Sequence, residues 1–92
     1  FLGQQDQAKD AEAKSDLANA KVAMMSFSVA NSGTWATATS QLTSYGFVQS
    51  TGVTVTIDGT PVGAAFCIDA TAANTHQFHI TDSSAVVSGV CP

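Results

Sequence analysis

The stretch DQAKDAEAKSDLANAKVAMMSFSVA, Asp6 to Ala30, contains neither glycine nor proline and reads as one long helix. Its second half carries Ala13, Leu17, Ala20, Met24 and Phe27 at spacings of 4, 3, 4 and 3, which places all five on one face. Val22, Met25 and Val29 are read as widening that face, so that the helix ends almost buried. Its first half is crowded with Asp6, Gln7, Lys9, Asp10, Glu12, Lys14 and Asp16, and its only apolar residues are alanines. A helix of about 25 residues is about 37 Å long. The rest of the chain, folded compactly, makes a ball about 28 Å across. The charged front half is therefore expected to project and to meet a partner.

Charged residues are 11% of the 92-residue chain, under half the usual share, so hydroxyls carry its solubility. All three basic residues (Lys9, Lys14, Lys21) lie on the helix, and none is arginine. With a net charge of −4, that leaves no electrostatic footprint for nucleic acid. The two cysteines, Cys67 and Cys91, are too far apart for a C-x-x-C redox or metal motif. They are read as a structural disulfide closing a loop of about 25 residues, worth about 3.5 kcal/mol. A disulfide implies an oxidising, extracytoplasmic location. The opening Phe1-Leu2-Gly3 has no methionine and is read as the processed or trimmed end of something more hydrophobic.

After Ala30, Asn31-Ser32-Gly33 suits a left-handed helix cap. Thr34 to Ser44 reads as a threonine- and alanine-rich connection with one helical turn near Thr39 to Ser44, ended by Gly46, and Phe47-Val48 begins the return toward the core. Val53-Thr54-Val55-Thr56-Ile57 alternates strictly and predicts a half-buried strand, followed by a tight-turn signal at Asp58-Gly59. Ala64 to Ala70, His76 to Thr81 and Ala85 to Cys91 are three further predicted strands. The expectation is an α+β domain, residues 1–92, with a helix (1–31), a connecting loop (32–52) and a four-stranded antiparallel sheet (53–92). Met24 and Phe27 should be buried on that sheet, with Leu17 at the margin where the helix leaves it.

Little in the chain carries chemistry. His76 and His79, three apart on a strand, point to opposite faces and cannot share a metal. No G-x-S-x-G elbow or glycine-rich phosphate loop is present, and Asp58, Asp69 and Asp82 are too far apart in sequence for an EF-hand loop. That leaves a calcium site only to folded proximity, with turn and strand-end roles as the reading taken. The reading is of a protein that is not an enzyme and needs no cofactor or metal. Asp10 and Lys14 form a favourable i, i+4 pair.

Phe1-Leu2-Gly3-Gln4-Gln5-Asp6-Gln7-Ala8-Lys9 followed by Ala13-Lys14-Ser15-Asp16-Leu17-Ala18-Asn19-Ala20 resembles the segment after the hydrophobic N-terminus of type IV pilins and type II secretion pseudopilins. Phe66-Cys67-Ile68-Asp69-Ala70, Phe78-His79-Ile80 and Val87-Ser88-Gly89-Val90-Cys91 are similar to the C-terminal half of Gram-positive, particularly actinobacterial, pilin-like proteins. The resemblance implies a headgroup of pilin fold that polymerises into a surface filament with copies of itself. It implies an assembly machinery and a full-length form inserted in the cytoplasmic membrane before assembly. Phe1, Leu2, Asp6, Lys9, Asp10 and Lys14 are the expected assembly residues. The alternatives are a pseudopilin of a secretion or DNA-uptake system, or a small secreted domain binding carbohydrate or protein through Trp35, Tyr45 and the threonine-rich loop.

Overall fold

A computed structural model describes residues 2–92, with side chains from residue 4 onward. One helix, α1 (Leu2–Ala30), lies across a four-stranded antiparallel sheet with strand order β1-β2-β3-β4. The strands are β1 (Thr54–Ile57), β2 (Cys67–Thr71), β3 (Gln77–Thr81) and β4 (Val87–Ser88). Helix onset is at Leu2 and not at Asp6, because nothing from Gln4 onward breaks the helical run. The molecule measures 47 × 27 × 17 Å, and a 29-residue helix, about 43 Å long, accounts for the long dimension.

The register follows from the alternation of each strand. Val55 opposes Ala70, and Ala70 opposes Phe78; Ile57 opposes Ile68, and Ile68 opposes Ile80. These residues share the face that α1 covers, while Thr54, Thr56, Asp69 and His79 occupy the other. On the helix, Ala13, Leu17, Ala20, Ala23 and Met24 are all buried, and the alanines let the backbone lie close to the sheet. Leu17 is fully buried in the middle of this contact, which corrects its expected place at the margin. Ala13 is fully buried as well, because the β2–β3 end of the sheet extends further under α1 than the sequence suggested. Phe27 is only half-buried and packs edge-on to Tyr45, with ring centroids 5.6 Å apart.

Val22, Met25 and Val29 do not widen the buried face; they are exposed. At about 100° per residue, Val22 lies about 200° round from Met24, on the far side of the helix.

The helix ends where expected. Gly33, at φ 85°, donates its N–H to the Ser28 carbonyl at 2.8 Å, and Asn31 Nδ2 caps the Phe27 carbonyl. The connection holds two 3-10 turns, Thr39–Gln41 and Thr43–Tyr45, the second closed by left-handed Gly46. Its Leu42 and Phe47 enter the core. Residues 64–66 are not strand: the Ala65 N–H goes to Asp82 Oδ1, and Phe66 turns to Trp35. Nor does β4 run from Ala85 to Cys91. Left-handed Gly89 ends it, and the last residues cross the outer face of the sheet, where Cys91 is bonded to Cys67. There the Asp69 carboxylate accepts the Cys91 N–H at 2.7 Å, and His79 Nδ1 donates to the Gly89 carbonyl at 2.9 Å.

Candidate functional site

The expected assembly residues divide between two environments. Phe1 and the Leu2 side chain lie outside the described residues. Residues 4–8, Asp6 among them, are exposed. Lys9 and Asp10 are already half-buried. Asp10 accepts from Asn74 Nδ2 at 2.9 Å and from His76 Nδ1 at 2.8 Å, and Asn74 also donates to the Asp6 carbonyl. Lys14 sets its ammonium 5.1 Å from the centroid of the Phe78 ring. The front half of the helix is thus tied to the β2–β3 turn at the Asp10 side chain and at the Asp6 carbonyl, and the freely projecting part is shorter than the sequence implied.

The Asn74 hydrogen bond is the largest influence on the Asp10 carboxyl and holds it below its ordinary value. Burial opposes this, and His76 and Lys14 add to it.

The surface that sequence reasoning missed is on the back of α1. Ala8, Ala11, Ser15, Ala18, Val22, Met25 and Val29 are all exposed, at spacings of 3, 4, 3, 4, 3 and 4. Val29 is 86% exposed and Val22 67%. The 3-4 spacing matches the period at which helices pack on one another. The residues toward the N-terminus are small, which permits close approach of a second backbone, and those toward the C-terminus are large. The signal was present in the sequence, since the same 3-4 count that found the buried stripe also finds this one.

Chemistry is sparse. Among the described residues no three potential metal ligands cluster, and no helix is long and apolar enough to cross a membrane. His76, just before β3, is bonded to Asp10, and His79, on the outer face of β3, to the Gly89 carbonyl. Cavities of about 470 Å³ beside Thr43 and Phe47, 290 Å³ beside Asp10 and His76, and 180 Å³ beside Trp35 are open to solvent. No family model, curated protein or solved structure matches the chain. Trp35 packs on Phe66, and Tyr45 packs on Phe27 near the C-terminal end of α1.

Proposed function

We propose that this domain is the head of a structural subunit, a major pilin that polymerises through its long helix into a type IV pilus-like surface filament. The single observation that carries the reading is the exposed heptad seam from Ala8 to Val29. Val22, Met25 and Val29 lie exposed in register with a row of small residues, the arrangement a neighbouring helix would cover.

The size of the seam says what kind of assembly it suits. Seven residues are far fewer than the roughly 20–30 per side of a stable two-protein interface. One copy on another is therefore weak, and the isolated domain is a monomer. Repetition of the same weak contact along an array supplies what a single contact lacks. The disulfide agrees with an extracytoplasmic place for the head. The nearest rival within the class, a pseudopilin, would use the same seam in a shorter fibre.

The test is immunogold electron microscopy of the native organism with antibodies raised against this domain. Labelled filaments are expected at the cell surface. Antigen confined to the culture medium as dispersed monomer contradicts the proposal.

A further inference from the structure

The smallest of the three cavities, about 180 Å³, is the one whose lining is chemically selective. It lies where the β1–β2 connection meets the segment after α1, with Trp35, Ile57, Pro61 and Phe66 as apolar walls. The Trp35 ring leans on Phe66 at 4.9 Å between centroids with a 52° tilt, and Phe66 is itself buried, so the indole is held in place. One ionisable side chain lines the cavity, that of Asp58. Its Oδ1 accepts the Thr60 N–H at 3.0 Å, and among the described residues the carboxylate makes no further hydrogen bond and no ion pair. All three lysines of the chain lie on α1 and none lines the cavity. The Asp58 carboxylate thus shares this cavity with the Trp35 indole and, among the described residues, has no counter-ion.

We infer that this corner binds an alkylammonium group. A carboxylate and an indole attract a cation together, the first by its charge and the second by its ring quadrupole. The apolar walls favour a cation that carries carbon substituents over a hydrated metal ion. A neutral ligand would take solvent from Asp58 and return no charge, and an anion would be repelled. Volume narrows the class further. The cavity is below the range of sites that enclose a whole substrate, about 300 Å³ and upward, but is adequate for one head group. Two sources share this chemistry: a small quaternary amine, or the end of a lysine side chain.

Trp35 is the chain's one tryptophan, so its fluorescence reads the site directly. The domain is titrated with choline and with N-acetyl-lysine methylamide, each beside its uncharged isostere, 3,3-dimethylbutanol and N-acetyl-norleucine methylamide. A saturable change is expected with at least one cation and with neither isostere. Choline alone would assign a quaternary amine, and the lysine derivative alone a protein side chain. Asp58→Asn keeps an oxygen for the Thr60 N–H and removes only the charge, so the turn survives; it should weaken binding about tenfold. Equal responses to cation and isostere, no saturable response to either cation, or undiminished binding by Asp58→Asn would overturn the inference.

Discussion

Asp16 of α1 accepts two hydrogen bonds from Ser50, 34 residues later, one from its N–H and one from its hydroxyl, each at 2.8 Å. Asp16 is almost wholly buried, and the pair ties the end of the long connection to the middle of the helix just before β1 begins. A buried carboxylate is tolerated because both oxygens are satisfied. Asp16→Ala leaves two donors of Ser50 without their acceptor, and should cost about 1.5–3 kcal/mol in chemical denaturation. A loss below about 0.5 kcal/mol would show that water replaces the carboxylate freely.

Met24 does more than fill space. Its Sδ accepts the buried Ala36 N–H at 3.2 Å. A Met-to-Leu exchange in a core usually costs less than about 1.5 kcal/mol. Met24→Leu is expected to exceed that, by about 1–2 kcal/mol, because the Ala36 N–H loses its acceptor. Leu17→Met, in the same core without such a bond, is the control.

The clamp at the front of the helix should depend on acid. The Asp10 carboxyl is held below its ordinary value of 3.8, chiefly by the Asn74 hydrogen bond. A depressed carboxylate contributes stability above the unfolded-state value and loses it as pH falls through the folded one. Side-chain amide protection at Asn74, followed by NMR, should therefore be intact above about pH 4 and fade below it. Asp10→Ala should remove it at every pH while the Met24 core stays folded.

The disulfide pins a segment with few other holds: past β4, the hydrogen bonds of Gly89 and Cys91 to Gln77, His79 and Asp69. Replacing Cys67 and Cys91 with alanine should lower stability by about 2–5 kcal/mol. Hydrogen exchange should show the Cys91 amide opening before β2 and β3 do.

Much of this architecture was legible. Strict alternation in Val53 to Ile57 set which face of β1 is buried, and Gly33 and Gly46 marked their caps because only a left-handed residue closes those turns. Three features were hidden for different physical reasons. The second apolar seam was read into the first because nearby residues look alike in sequence, although 100° per residue separates Val22 from Met24. Asp16 was counted with the projecting charges, yet it lies three residues after Ala13 and four before Ala20, on the buried stripe. That spacing was the available signal. The loss of strand at residues 64–66 had none, since it follows from Asp82, 17 residues further on, taking the Ala65 N–H.

The seam on the back of α1 is the account's central claim, and it separates cleanly from folding. In the natural full-length protein, Val22→Gln with Val29→Gln should leave the melting temperature of the purified head within a few degrees of the unaltered one, since exposed positions shift stability by less than about 0.5 kcal/mol each. The same pair should sharply reduce the yield of sheared surface filaments. Filament yield beside melting temperature, on the same variant, is the most direct measurement. Normal filaments from the double variant would contradict the account, as would a melting temperature lowered as far as by Leu17→Ala.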